Sequence, residues 1–260
     1  MASFGPGVAW VTGASSGIGR ALAQRLARDG WTVLASARRS EALDELAKAT
    51  KDAAGALVPI PLDITDASAA AGAVREVIDR YGRIDLAVLN AGTHRPMSAL
   101  SLDAAAVDDL MRVNFMGTVN CLVPVLDRMR EAGRGHVAIV SSVSGYCGLP
   151  TAAAYGASKA ALINMAESLK PELDSVGVKL QIVNPGFVET PLTDRNTFEM
   201  PFLIPVEAAV DAFVKGLAGN SFEIRFPTRM GLAMSVLRAL PYGLFFRVTR
   251  RLVPERPQTR

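Results

Sequence analysis

Cysteine and histidine are scarce: Cys121, Cys147, His94 and His136 are all that 260 residues contain. Two cysteines make neither a metal-ligand spacing nor a disulfide framework, so buried thiols in a reducing compartment are expected. So few thiols and imidazoles exclude a zinc centre built from them, and no metal is expected. Charged residues make up only 20% of the chain against 50% apolar, which excludes a disordered polyelectrolyte. No uninterrupted apolar run is long enough to span a bilayer. The stretch Met1 to Gly7 lacks the basic segment and apolar run of a signal peptide. A cytoplasmic location is therefore expected, with peripheral membrane contact as its variant. Internal repeats and low-complexity tracts are missing too.

Acid is missing from one place in particular. Residues 228–260 hold seven arginines, no lysine and a single acid, Glu255, so the net +3 of the chain comes from this end. Within it Leu232, Val236 and Leu240 share a helical face, as do Leu244, Val248 and Leu252, with Arg247, Arg250 and Arg251 off the second face. Two partners fit such a segment. It packs on its own domain or a neighbouring subunit, or it brings the protein to a lipid surface through 228–253. A nucleic-acid partner is not expected.

What is present is an alternation of apolar runs and helical periodicity, repeated six or seven times. It predicts an α/β fold with a doubly wound, mostly parallel sheet and helices on both faces. Val8 to Val11 reads as a first strand, followed by Thr12-Gly13-Ala14-Ser15-Ser16-Gly17-Ile18-Gly19 and a helical pattern. Strand, glycine-rich turn and helix form a phosphate-binding context. Gly13 permits the tight turn, Gly17 lets backbone approach a pyrophosphate, and Gly19 lets helix and strand pack closely. The helix start presents N–H groups and a positive dipole to the anion.

The second strand, Trp31 to Ala37, ends at Arg38 and Arg39 rather than at the acid that would hold a ribose 2′-hydroxyl. Guanidinium groups attract a 2′-phosphate, so NADP(H) is expected over NAD(H). Ser40 reads as the cap of a helix reaching about Ala54, Leu57 to Leu62 as strand three, and Asp66 as the cap of a helix over 67–82. Leu86 to Leu89 leads into Asn90-Ala91-Gly92. Residues 103–131 read as two helices, and 152–175 as a long one that Pro171 should kink.

That long helix carries Tyr155 and Lys159, four residues apart and so on one face. An ammonium one turn away favours phenolate and lowers the pKa of the phenol, which makes the pair a tuned acid/base. Ser142 lies thirteen residues before Tyr155, with Ser141 and Ser144 as rivals. Strand alternation sends Ser141 and Ser142 to opposite faces, so only one should enter a pocket. Leu180 to Val183 is a further strand, ending in Asn184-Pro185-Gly186-Phe187-Val188-Glu189-Thr190.

These motifs, in this wording and order over residues 7–226, resemble the short-chain dehydrogenase/reductase family. The resemblance implies a single Rossmann-type domain over 1–227, strand order 3-2-1-4-5-6-7, with a substrate loop at 191–205 and the basic extension 228–260 beyond it. It implies hydride transfer between NADP(H) and a carbonyl or alcohol, with Ser142 on the substrate oxygen, Tyr155 as acid/base and Lys159 on the nicotinamide ribose. Asn114 would hold a helix distortion and a relay water. The cofactor would be held by Gly13, Ser15, Ser16, Gly17, Ile18, Gly19, Arg38, Arg39, Asp63, Ile64, Asn90, Ala91 and Gly92. Toward the nicotinamide the set continues with Tyr155, Lys159, Pro185, Gly186, Val188 and Thr190. His94, Ser144, Tyr146, Leu149, Phe187 and Met200, with Phe198 on the loop, would make a mainly apolar pocket for a small ketone or aldehyde. The family also implies a homodimer or homotetramer. Two other readings are a non-catalytic NADPH-binding sensor or scaffold and a membrane-surface enzyme acting on lipid or steroid carbonyls.

Overall fold

The structure is a computed structural model, and it describes residues 4–195 and 199–253. Seven strands form one parallel sheet: β1 (Val8–Thr12), β2 (Thr32–Ala37), β3 (Ala56–Pro61), β4 (Leu86–Leu89), β5 (Gly135–Val140), β6 (Val178–Pro185) and β7 (Glu223–Phe226). Their order is 3-2-1-4-5-6-7, as expected. The sequence reverses direction across the sheet between β1 and β4, so a crevice opens there at the strands' carboxyl ends.

Strand alternation sorts the core into two layers. From β1, Val8 and Trp10 join one layer with helices α3 (Ala67–Tyr81), α5 (Gly117–Ala132) and α6 (Ala153–Ser175). Ala9 and Val11 join the other, with α1 (Gly17–Arg28), α2 (Ser40–Ala49) and α7 (Val206–Ala218). Covered on both faces, β1 is buried at all five positions, which is why the central strands read as continuous apolar runs. The one polar atom on the side chain of Trp10, Nε1, donates to Ser36 Oγ at 2.9 Å, so the largest core residue leaves no donor unmet.

Several boundaries differ from the sequence reading. Arg39, not Ser40, caps α2, and the helix stops at Ala49, where Thr50 Oγ1 turns back onto the Leu46 carbonyl at 2.9 Å. Helix α6 stays one element through the exposed Pro171. Strand β6 runs on through Asn184 and Pro185, which pair with Arg225 and Phe226 of β7. Between α4 (Ala104–Met111) and α5 the chain makes one turn of π-helix, Arg112–Met116, with Asn114 at its centre.

The extension forms α8 (Thr228–Ala239) and α9 (Tyr242–Thr249). Met230 and Met234 of α8 pack against Val143 on the domain. Most of both sequence stripes faces outward: Leu232, Val236, Leu244, Val248 and Leu252 are exposed, and Leu240 is half-buried. The side of each helix that is buried is the other one.

Candidate active site

The glycine turn is assembled first. Thr12 Oγ1 accepts from the backbone N–H groups of Asn90 and Ala91 at 3.0 and 3.1 Å. In return Asn90 Nδ2 donates to the Thr12 carbonyl at 3.0 Å and to that of Gly13 at 3.4 Å. This two-way strap ties Asn90-Ala91-Gly92 to the end of β1. Gly13 sits at φ +71°, and a Cβ there would lie 2.8 Å from Ala91 Cα. Gly17 sits at φ +55°, with Thr190 closing over it. Any side chain at Gly19 would run into Asn90 and the Gly13 carbonyl. The first turn of α1 carries no acid, and the hydroxyl of its cap Ser16 makes no capping bond. Bare backbone at a positive helix end is what a pyrophosphate needs, so this cradle fits a dinucleotide.

At the end of β2, Arg38 and Arg39 are both exposed. Arg39 Nη2 donates to Ser15 Oγ at 3.3 Å, bending back over the glycine turn. Asp63 Oδ1 accepts from the N–H and hydroxyl of Thr65, and these bonds, together with the charge of Arg38, hold its carboxyl below the usual range. Asp66, as expected, caps α3 by accepting from Ala69 N. The Ile64 side chain is core, pressed on Gly117, and its carbonyl accepts from Asn120 Nδ2 at 2.9 Å.

Past these groups lies a cavity of about 170 Å³, bounded by the ends of β4, β5 and β6 and the start of α6. Tyr155, Lys159 and Ser142 all line it, with Ile18, Asn90, Gly92, Pro185, Gly186, Val188 and Thr190. His94, Ser144, Leu149 and Phe187 stand in its walls, as the sequence reading had them. The His94 ring meets the Tyr155 ring edge-on, centroids 4.6 Å apart. The base of the loop 191–205 is pinned by a parallel bridge between Val188 and Ile204. Phe198 lies outside the described residues.

Ser141, Ser142 and Ser144 all line the cavity, against the expectation that only one of the first two would enter it, and hydrogen bonding is what distinguishes them. Ser141 spends its hydroxyl on the Lys159 carbonyl at 2.8 Å. Ser142, in extended backbone, hydrogen-bonds the Tyr155 phenol and also reaches the Pro185 carbonyl at 3.3 Å. Lys159 is buried and donates from Nζ to the Val140 carbonyl at 3.0 Å. Its Nζ stands 5.8 Å from the centroid of the Tyr155 ring.

Here the electrostatics correct the sequence reading. Burial pushes the Tyr155 phenol up, and the opposing influence is the Ser142 hydrogen bond rather than the lysine. Burial also pushes the Lys159 ammonium down, to about 8. In this state Tyr155 is a protonated acid at neutral pH, and Lys159 still carries its charge.

Asn114 is fully buried and its amide is engaged on both sides. Oδ1 accepts from Thr93 N at 2.7 Å, and Nδ2 donates to the Thr93 carbonyl at 2.9 Å and to Ser158 Oγ at 3.0 Å. The expected distortion is thus present, but the side chain acts as a brace between the Thr93 loop and α6. Gly92 separates it from Lys159: a Cβ there would lie 3.2 Å from Asn114 Oδ1 and 3.4 Å from Lys159 Nζ.

Two pocket assignments fail. Tyr146 turns away from the cavity into the space behind it, where its hydroxyl meets the Glu223 carboxylate, and burial beside that carboxylate pushes the phenol up. Two side chains in the 3₁₀ turn after Ser142 thus point to opposite sides, which counting along the sequence could not resolve. Met200 sits on the loop but not in the cavity wall. Sequence reasoning missed Met230, which lines the cavity from 75 residues beyond Tyr155 in the chain. It also missed Ser158, the partner of Asn114. A small polar residue one turn after the Ala152–Ala154 run was the only local signal for Ser158; Met230 had none.

Comparison with known proteins agrees with this geometry. The family model for short chain dehydrogenase matches residues 7–200. The chain belongs to the short-chain dehydrogenase family, and it is an oxidoreductase of that family. An uncharacterized oxidoreductase of Myxococcus xanthus is 39% identical over 252 residues, covering 97% of this chain and 100% of its own. A 3-oxoacyl-acyl-carrier-protein reductase of Thermotoga maritima is 36% identical over 188 residues, covering 72% of this chain and 76% of its own. Among solved structures, a short-chain dehydrogenase of Burkholderia cenocepacia in complex with NADP superposes with a TM-score of 0.83 at 30% identity, over 97% of this chain and 100% of that one.

Proposed function

We propose that this oxidoreductase uses NADP(H) to interconvert a mainly apolar ketone or aldehyde and its alcohol. The observation that carries the reading is the convergence of Ser142, Tyr155 and Lys159 on one cavity, with two arginines and no acid at the end of β2. The Burkholderia relative, solved with NADP, supports the choice of cofactor.

Arg38 and Arg39 take the 2′-phosphate, while the turn from Gly13 to Gly19, with Ser15, Ser16 and Ile18, takes the pyrophosphate. Asp63 faces the adenine, and Asn90, Ala91, Gly92, Pro185, Gly186, Val188 and Thr190 hold the nicotinamide half. When bound, NADPH supplies the hydride. Ser142 donates a hydrogen bond to the substrate carbonyl oxygen and fixes its position. Tyr155, kept protonated by burial, delivers its proton to that oxygen as negative charge builds there. The buried ammonium of Lys159 then stabilises the phenolate left behind, a task that matters only after the proton has gone. Asn114 takes no proton itself: bonded to Thr93 and Ser158, it holds the Thr93 loop against the helix that carries Tyr155 and Lys159. In the oxidising direction Tyr155 is the base.

An assay of NADPH oxidation over a panel of apolar ketones and aldehydes tests this. Tyr155→Phe should lower turnover by about 10³-fold or more while NADPH still binds. Wild-type turnover in that variant would sink the assignment. Arg38→Ala should weaken NADPH about tenfold and leave NADH nearly unchanged, since a charge-assisted bond to phosphate is lost only with the phosphate-bearing cofactor. An equal effect on both removes the 2′-phosphate argument.

A further inference from the structure

Helix α9 has an unusual surface for a helix at the edge of a domain. It buries only Phe245 and Thr249, one turn apart. Phe245 joins none of the core clusters found among the described residues. Its ring neighbours are Tyr242 and Phe246 of the same helix, and those two stack on each other with centroids 5.7 Å apart. Tyr242 is 78% exposed, Phe246 51% and Leu244 49%. Leu252 and Val253 continue the apolar surface beyond the helix end, and Leu232 and Val236 present a second exposed stripe on α8. Exposed aromatic and aliphatic side chains at this density on two neighbouring helices of the chain mark an interaction surface.

The charge says which partner. Arg229, Arg238, Arg247, Arg250 and Arg251 are all exposed on the same two helices and the turn after them. The segment from Thr228 to Val253 contains no acid at all. A second copy of the extension, docked about a twofold axis, would bring arginines against arginines with nothing to neutralise them. An anionic surface supplies the counter-charge that the segment itself lacks, for Arg247, Arg250 and Arg251 above all, since Arg238 also borders the space that holds Glu167 and Glu223. Exposed Tyr, Phe and Leu beside unpaired arginines are the composition of a helix that lies in the headgroup region, with its rings and aliphatic groups below the phosphates. No helix among the described residues is long and apolar enough to cross a membrane, so the contact is one of lying on the bilayer.

We propose that α8 and α9 form a docking surface for an anionic phospholipid bilayer. Met230, in the first turn of α8, lines the catalytic cavity, so the docked face is built on the same helix as the cavity wall. The inference does not depend on which reaction the cavity runs.

Co-sedimentation of the full chain with two vesicle types tests it: phosphatidylcholine alone, and phosphatidylcholine mixed with phosphatidylglycerol. Binding should be about tenfold or more stronger to the anionic vesicles and should weaken with salt. Two triple variants separate the contributions: Leu244→Gln with Phe246→Gln and Val248→Gln, and Arg247→Gln with Arg250→Gln and Arg251→Gln. The arginine variant should lose about 10²-fold of the binding to anionic vesicles, at about fivefold for each charge near the surface, and the apolar variant about tenfold or more. Their melting temperatures should stay at the wild-type value, because none of these side chains is buried. Three binding results overturn the proposal. They are no binding by the wild-type chain, equal binding to both vesicle types, or undiminished binding by the apolar variant. A wild-type dimer that ignores vesicles and becomes monomeric in the apolar variant would assign the face to a second copy instead. A melting temperature that drops in either variant would show those side chains to be buried in solution, which overturns it as well.

Discussion

Helices α6 and α9 are made from similar materials and end in opposite states. Each sets an aromatic residue and a cation four or five positions apart: Tyr155 with Lys159, and Tyr242 with Arg247. On α6 the cation is 4% exposed, donates to the Val140 carbonyl and has its pKa pulled down to about 8 by burial. On α9 the cation is exposed, and so is the aromatic, at 78%. Spacing brought each pair onto a helix. What covers the helix decided whether the pair does chemistry or meets a surface. Small residues at 152–154, 156–158, 160 and 161 let α6 sink against β6 and the 3₁₀ turn after Ser142, so that its lysine had to find a carbonyl partner. Helix α9 has no such flank and stays at the edge.

Replacing each cation breaks that comparison most sharply. Lys159→Met should cut turnover by about 10²-fold or more, whereas Arg247→Met should leave it unchanged. The stability effect should run the other way from activity. The Lys159 pKa is depressed from 10.5 to about 8, so the unfolded chain binds this proton more tightly than the folded one. The penalty develops as pH falls from 10.5 to 8 and is full below. Lys159→Met removes it, and the melting temperature at pH 7 should not fall.

His136 extends the same rule to a second buried base. Its Nε2 faces Gln181 Oε1 at 2.7 Å, and because Gln181 Nε2 donates to the Gly216 and Ser221 carbonyls, the amide oxygen is the acceptor. Burial pushes the imidazole down to about 3, with the Lys179 charge acting in the same direction. Above pH 6.5 the ring is neutral in both folded and unfolded chains. As pH falls from 6.5 toward 3 the unfolded chain takes up a proton that the folded one refuses, so stability drops by up to about 1.4 kcal/mol per pH unit. Urea unfolding at pH 7 and pH 5 should register this loss, and His136→Gln should make the decline shallower.

The smallest effect belongs to the outward stripe on α8. Leu232→Ser and Val236→Ser should each change stability by less than about 0.5 kcal/mol, because neither residue leaves water on folding. Thermal melts read this directly. A loss near 2 kcal/mol would mean that the stripe is covered in solution, and the contrast between the two helices would dissolve.

Much of the catalytic end was legible because its requirements are local. Gly13, Gly17 and Gly19 are demanded by a positive φ or by backbone packed against them, and no other residue would satisfy those positions. The end of β2 is visible because an apolar run stops at two arginines. Strand alternation did not separate Ser142 from Ser141: β5 ends at Val140, both serines line the cavity, and only their hydrogen bonds tell them apart. The failures share a different cause. Tyr146, Met200 and Met230 lie in turns, on a loop or on a distant helix, where no period connects sequence position to direction. The error over the phenol had another origin: helical spacing gives proximity but not desolvation, and desolvation dominated.

The amino-acid sequence by itself determined the order of strands and helices, the nucleotide turn and the helix that carries Tyr155 and Lys159. Each of these follows from backbone sterics and from the period of apolar residues. Only the tertiary structure decided that Tyr155 is a half-buried acid in the cavity wall, that Asn114 is a brace, that Tyr146 faces Glu223 and that most of the extension's apolar stripes point outward. Those outcomes depend on which surfaces lose water, and water is excluded by whatever packs from elsewhere in the chain.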